Sequence, residues 1–361
     1  MDNSVLKITQ KIITFTAYYF TRELRFSFQS LTVSMKVLFI GGSGNISSAC
    51  TEEVLAAGYD VFHFNRGITG DYTFNNKVVT ITGDIHKASD RKKLDAFAPF
   101  DVVANFIGFT PDQIQADIDF FKGKTGQYIF ISSATVYKKP PDHYIITEDC
   151  PLQNPFWEYA RNKIACENLL TSQPDFPYTI VRPSYTFGRT WIPVAFTARE
   201  YNPVYRIRNR LPLISHGDGE SLWIMTHNTD FARAFTILLG NQQALRNHFH
   251  ITSDEVHTWD QIYAIIGKVI GIEPRLIHIS SDFINKMYPD WGAALLGDKA
   301  RSVVFDNSKI KHIASGWKAN KTFEDGIRES IAWFANRPDR QKPDSTVEDR
   351  INRIITKFQM R

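Results

Sequence analysis

The feature that most restricts this chain is the junction at residues 36–47. An apolar run, Val37 to Ile40, passes with no linker into Gly41-Gly42-Ser43-Gly44, and a helical pattern starts at once from Asn45. A strand that turns on glycines straight into a helix is the opening of a βαβ unit, because only residues without a Cβ make so tight a reversal. From Met35 onward the rhythm repeats, with short β-branched and apolar runs alternating with longer helical patterns. The strands fall at Lys36–Ile40, Asp60–Phe64, Lys77–Ile81, Asp101–Phe106, Tyr128–Ser132 and Tyr178–Arg182. Helical stretches such as Ile46–Ala57 and Tyr159–Leu170 lie between them and can return the chain parallel. The fold class this predicts is α/β, a doubly wound parallel sheet.

The alternation loosens after Arg182. Pro193, Pro203, Pro212 and the turn Gly217-Asp218-Gly219 interrupt it before helical patterns resume at Asp230–Leu239 and Trp259–Val269. The expected organisation is therefore an extension over residues 1–34, a sheet domain over 35–183, a smaller and partly interwoven substrate lobe over 184–335, and a charged tail over 336–361, read as a surface appendage or a subunit contact. Of 361 residues, 43% are hydrophobic and 22% charged, enough to bury a large core and incompatible with disorder over most of the length. The net charge of +4 is dispersed and calls for neither nucleic acid nor an anionic membrane. The aromatic stretch Ile12–Phe20 is too short to span a bilayer. Cys50, Cys150 and Cys166 form neither a disulfide framework nor a zinc spacing, and no metal is expected. A reducing, cytoplasmic setting fits. The basic, hydroxyl-rich start of the chain also matches an organelle-targeting segment, although an upstream extension before Met35 accounts for it more simply.

The glycine loop has a physical use. Gly41 permits the turn, Gly44 clears the backbone's approach to a pyrophosphate, and the helix from Asn45 and Ile46 aims free amides and the positive end of its dipole at phosphates. An ordinary Gly-rich turn is the plain alternative, and Ser47 stands where a third glycine is expected. The second strand ends at Asn65-Arg66, where an NAD enzyme would place an acid on the ribose 2′-hydroxyl. With no acid present, Arg66 can pair with a 2′-phosphate, which favours NADP over NAD, or it is a solvated loop arginine. Asp84 and Ile85 after the third strand can sit near an adenine amino group, and a turn-capping Asp84 reads equally well.

Tyr159 and Lys163, four residues apart, share one helical face. The helix follows Ile131-Ser132-Ser133, which leaves hydroxyls at the carboxyl edge of the sheet, where ligands of such sheets bind. A phenol must exchange a proton near neutrality to work as an acid–base group. An ammonium at ~4 Å would favour its anion by about 4 kcal/mol before screening. Ser133 would hold the substrate oxygen within reach of proton and hydride.

With these residues the chain resembles the short-chain dehydrogenase/reductase superfamily, in its extended or atypical branch of NAD(P)-dependent epimerases, dehydratases and reductases. The resemblance covers about residues 35 to 335 and rests on the glycine loop, Gly83-Asp84-Ile85, Asn105-Phe106-Ile107-Gly108, Ser132 to Tyr137, Tyr159 with Lys163, and Arg182-Pro183-Ser184. It implies a Rossmann-type sheet, NAD or NADP as cofactor, Ser133, Tyr159 and Lys163 as the catalytic set, and Phe106, Ile107, Gly108, Arg182, Pro183 and Ser184 flanking the cofactor. His227 in His227-Asn228-Thr229-Asp230 reads as structural.

The resemblance also narrows the reaction. Ala134-Thr135 follow the catalytic serine where 4,6-dehydratases carry an Asp-Glu pair, so dehydration is disfavoured and an epimerase or reductase is expected. The partner is a small molecule, a sugar or sugar nucleotide among the candidates. Trp223 at the position of a diphosphate-binding arginine points away from a UDP-sugar, while Arg206, Arg208 and Arg210 either hold phosphates or form a solvated face. A homodimer is compatible. Two other readings need no intact triad: an RNA-binding or scaffold protein like the chloroplast stem-loop-binding proteins, and a cofactor-sensing regulator related to NmrA-type proteins.

Overall fold

The computed structural model describes residues 34–67, 74, 77–196 and 200–360, so the reading of residues 1–33 lies outside the described residues. Strands β1 (Lys36–Ile40), β2 (Asp60–Asn65), β3 (Val78–Thr82), β4 (Phe100–Asn105), β5 (Thr125–Ile131), β6 (Tyr178–Pro183) and β7 (Asn247–Ile251) form one sheet in the order β7-β6-β5-β4-β1-β2-β3. Every pairing in it is parallel. Six strands match the expected alternation to within a few residues. The seventh, Asn247–Ile251, has two histidines in its short run and lay hidden in the looser half of the sequence.

Parallel strands buried on both faces read as continuous apolar runs. Val37, Leu38, Phe39 and Ile40 are accordingly all fully buried. One face is covered by α1 (Asn45–Ala56), which packs on α5 (Asn228–Leu238), and the other by α2 (Pro111–Phe121), which packs on α3 (Glu158–Thr171). Helix α2 starts where it does because Thr110 and Gln113 cap each other's backbone amides and Pro111 takes the first helical position. The strand order reverses between β1 and β4, which opens a crevice at their carboxyl ends.

A second hydrophobic core lies in the later half, around Trp223, Trp259 and Ile266. It is framed by α4 (Asn202–Arg208), α6 (Trp259–Ile270), α7 (Phe323–Ala335) and α8 (Ser345–Gln359). Helix α8 corrects the expectation of a surface appendage. Ile351, Ile354 and Ile355 are buried in this core, one face at i, i+3 and i+4. Of the alternating arginines, Arg208 and Arg210 are exposed as a solvated face requires, and only Arg206 departs from it. Arg206 is buried, donating to the Pro212 carbonyl, to Glu348 at 2.7 Å and to Asn352, while Arg208 donates to the Tyr201 hydroxyl. Buried and with three of its five donors taken, two of them by α8, the Arg206 guanidinium serves the core and is withdrawn from a phosphate-binding face. The three cysteines are free thiols, and no described helix is long and apolar enough to cross a membrane.

Candidate active site

The glycine loop is shaped as the sequence predicts, and the structure supplies the reasons. Gly41 has φ +83°, and a Cβ there would stand 2.5 Å from Ile107 Cγ2. Gly42 touches the His63 ring in the same way and donates its amide to Asn65 Oδ1. At Gly44 a Cβ would meet only the Ser47 hydroxyl, at 3.4 Å. The space beside Gly44 is open. Ser47, the departure from the three-glycine pattern, closes the turn by donating to the Gly41 carbonyl and accepting from the Gly44 amide, each at 2.8 Å.

A cavity of about 770 Å³ opens on this loop, within the ~300–1,000 Å³ usual for cofactor sites. Its lining includes Gly41, Gly44, Asn45, Asn65, Arg66, Asp84, Ile85 and Ile107, eight of the residues expected around a cofactor. Asn45 ties the helix start to the Thr186 carbonyl through Nδ2, while its buried Oδ1 has no partner among the described residues. A buried acceptor without a donor at a cavity wall is what a polar ligand satisfies. The residues thus fit a dinucleotide: a cleared backbone, the N-terminus of a helix longer than eight residues, and an unfilled acceptor.

Sequence reasoning missed the far wall. Trp333 of α7, and Arg340 and Lys342 of the segment joining α7 to α8, also line this cavity. Asn202 fixes that segment by donating to the Asp344 carbonyl and accepting from its amide. The amphipathic period of α8 was the available signal that the segment returns to the core.

Other expected residues take different places. Phe106 packs on Phe39 and Phe235, and its amide donates to the Ile40 carbonyl. Ile46 and Gly108 lie near the cavity but outside its lining. The turn 106–108 is fixed from beneath, where Asn105 accepts from the Ile107 amide and donates to Asp117 and the Tyr128 hydroxyl. Arg182 turns inward to a buried ion pair with Glu167 at 2.7 Å, and also donates to the Tyr137 hydroxyl and the Glu148 carbonyl. Only backbone and the Ser184 side chain of the 182–184 segment are left for a ligand, because Pro183 is buried in β6. His227 caps α5 by accepting from Thr229, and burial holds it neutral, its pKa down at about 4. Trp223 is buried against Trp259.

Ser133, Tyr159 and Lys163 stand together beyond Phe109, whose ring edges the cavity and lies 6.4 Å from the Tyr159 ring. The Ser133 hydroxyl accepts from both the amide and the hydroxyl of Thr135. Its own proton is therefore free to point at Tyr159 or a substrate oxygen. Lys163 is buried and donates to the Gly108 and Ile131 carbonyls, each at 2.7 Å, which leaves one of its three N–H bonds uncommitted. Burial lowers its pKa to about 8, so the ammonium persists at neutrality.

One expectation is corrected. Burial pushes the Tyr159 phenol above its ordinary pKa, the Ser133 hydrogen bond works against this, and Asp298 pushes it further up. The Lys163 ammonium sits 5.8 Å from the ring centroid and two of its three N–H bonds go to carbonyls, and desolvation is the larger influence on the phenol. The phenol is thereby held protonated at neutral pH.

A family model, the NAD dependent epimerase/dehydratase family, matches residues 37–252, more than half of the chain. The chain belongs to the NAD dependent epimerase/dehydratase family. Similarity within and beyond the family extends further. A chloroplast stem-loop binding protein of 41 kDa (b) from Arabidopsis thaliana is 26% identical over 348 residues, 89% of this chain and 85% of that protein. A UDP-glucose 4-epimerase of Lactobacillus helveticus is 28% identical over 153 residues, 38% of this chain and 46% of that enzyme. Among solved structures, an epimerase of Methanothermobacter thermautotrophicus aligns with a TM-score of 0.69 at 17% identity, covering 85% of this chain and 94% of its own. A UDP-glucuronic acid 4-epimerase from Bacillus cereus, solved with UDP-glucuronic acid and NAD, gives 0.66 at 18%, covering 84% and 99%. At these identities they share the family's fold.

Proposed function

We propose that this family member is an NAD(H)-dependent enzyme of the epimerase type, moving a hydride at a hydroxyl- or carbonyl-bearing carbon of a sugar-like substrate. The observation that carries the reading is the pairing of Ser133 and Tyr159 hydroxyls beside a buried Lys163, one aromatic ring away from the glycine-loop cavity. A bound nicotinamide supplies the hydride acceptor and a positive charge near the phenol. Ser133 orients the substrate oxygen with its free proton, and Tyr159 gives or takes the proton at that oxygen. Lys163, held by two carbonyls, keeps one N–H for a ribose hydroxyl and its charge for the phenolate.

Two solved relatives carry NAD with UDP-sugars, and a curated relative is a UDP-glucose 4-epimerase, which supports NAD and a sugar nucleotide in this role. Arg66 is exposed and lines the cavity, so it remains available to a 2′-phosphate, the feature that supports NADP. The test is to denature the purified protein, identify the nucleotide it releases, and assay UDP-glucose and UDP-glucuronate for epimerisation. Retained NAD with turnover of either sugar supports the epimerase; turnover with stoichiometric NADPH consumption indicates a reductase. A dinucleotide bound with no turnover overturns both.

A second reading draws on the long match to the stem-loop binding protein: nucleic-acid binding on the same fold. RNA affinity that falls steeply with salt, with no turnover, is its signature.

A further inference from the structure

Near Tyr159, two lysines, Lys139 and Lys299, act electrostatically on one aspartate, Asp298. The Lys139 ammonium is 3.8 Å from Asp298, beyond hydrogen-bond reach. Lys139 is only 3% exposed, and Asp298 is its one ion-pair partner among the described residues. Lys299 extends over the rings of Trp157 and Tyr185, at 5.8 and 5.5 Å, and Trp157 in turn packs on Tyr159 at 5.1 Å. Asp298 and Lys299 come from a single π-helical turn, Leu295–Lys299, an irregularity frequent at functional sites. Backbone contacts hold the turn: Asn154 bridges the Thr135 and Gly297 carbonyls, and His216 and Trp259 engage the Lys299 carbonyl.

The charges in this nest do not balance. Burial disfavours all three ionised forms; Asp298 opposes that for both lysines, and Lys299 acts against Lys139. Two ammoniums and one carboxylate sum to one positive charge, and partial burial makes an ammonium without a bonded acceptor costly. A structural ion pair would have closed to about 2.8 Å. Among the described residues the Lys139 ammonium has no hydrogen-bonded acceptor, so its N–H donors are uncommitted. Lys139 and Lys299 come from distant parts of the chain, one from the loop after β5 and the other from the later lobe.

Resting on the hydride-transfer reading of Tyr159, we propose that Lys139 and Lys299 form an anion subsite, and that the substrate bears a carboxylate or phosphate group near its reacting carbon. Lys139 and Lys299 are positioning and specificity residues, not catalytic ones.

The test measures calorimetric binding to the full chain saturated with NAD⁺, using pairs that differ only in the anion: UDP-glucuronate against UDP-glucose, and glucose 6-phosphate against glucose. The charged member of at least one pair binds about tenfold or more tightly, the scale of one hydrogen bond to a charged group. Preference in the first pair identifies a carboxylate, in the second a phosphate. Lys139→Gln and Lys299→Gln each erase the preference, and Lys139→Gln without ligand melts no lower than the wild type, because an under-compensated charge has been removed. No preference in either pair, or a preference that survives both substitutions, overturns the subsite. Tyr159→Phe keeps the anion preference. An intact preference with no turnover in the wild type therefore sinks the hydride-transfer reading alone.

Discussion

The two halves of the site recognise by different means. The cofactor half rests largely on backbone: glycines that a Cβ would fill, amides at the start of α1, and a turn at 106–108 held by the Asn105 side chain. The substrate half is made of side chains gathered from distant parts of the chain, among them Lys139, Trp157, Asp298 and Lys299. Backbone recognition leaves a local mark in sequence, because it needs glycine at particular places. Side-chain recognition leaves none, since each lysine looks like any other until the fold brings it home.

Substitutions should therefore divide along this line, and the largest effect tests the border between the halves. Tyr159→Phe lowers turnover by about 10²–10⁴-fold, the usual worth of general acid–base catalysis, while nucleotide titration finds cofactor affinity nearly unchanged. If affinity collapses too, the phenol belongs to the cofactor half and the division fails.

Next come the glycines, where stability and binding separate. Gly41→Ala destabilises the fold by about 1–2 kcal/mol or more in chemical denaturation, from its positive φ alone, with the Ile107 contact added. Gly44→Ala leaves unfolding almost untouched, because its Cβ enters open space, yet weakens dinucleotide binding. Unchanged dinucleotide affinity in Gly44→Ala would show that the cavity beside Gly44 is not a ligand site.

The pH dependence of kcat sharpens the comparison within the catalytic set. The Lys163 ammonium, its pKa lowered by burial to about 8, is charged below that value and neutral above it. Turnover therefore falls as pH rises through about 8, and Lys163→Met removes that limb from the profile. Stability has its own limb. His63, His216 and His250 are held near 4 by burial, below the usual 6.5, so the unfolded chain binds more protons than the folded one between those values. Unfolding free energy falls as pH drops from 6.5 toward 4. Because His63 lies under the glycine loop and the other two in the later half, both regions weaken together.

The smallest effect is at Arg66, whose side chain is exposed. Arg66→Ala weakens NADP more than NAD in parallel titrations, by a few-fold, since a solvated guanidinium contributes little. Equal losses would assign it to the solvated loop.

Much of the frame was legible. Six strands, four helices and the loop that opens the cavity followed from period and glycine placement. The triad's residues were legible as types and spacing, but not the electrostatics: nothing in Tyr159 and Lys163 four apart says that Gly108 and Ile131 will claim the ammonium. Of the arginines at 206, 208 and 210 only the first misled: alternation suggests an exposed face, whereas Arg206 is turned inward by Glu348 on a helix 142 positions away.

The wall contributed by Trp333, Arg340 and Lys342 has a consequence for the chain's integrity. Any molecule filling the cavity touches the first strand's turn and the α7–α8 connection at once, so it works as a staple across the sequence. Its binding free energy is added to whatever opening would expose residues 337–344 to a protease, by RT ln(1 + [L]/Kd). Cleavage there should slow as dinucleotide is added, turning a protease into a gauge of occupancy.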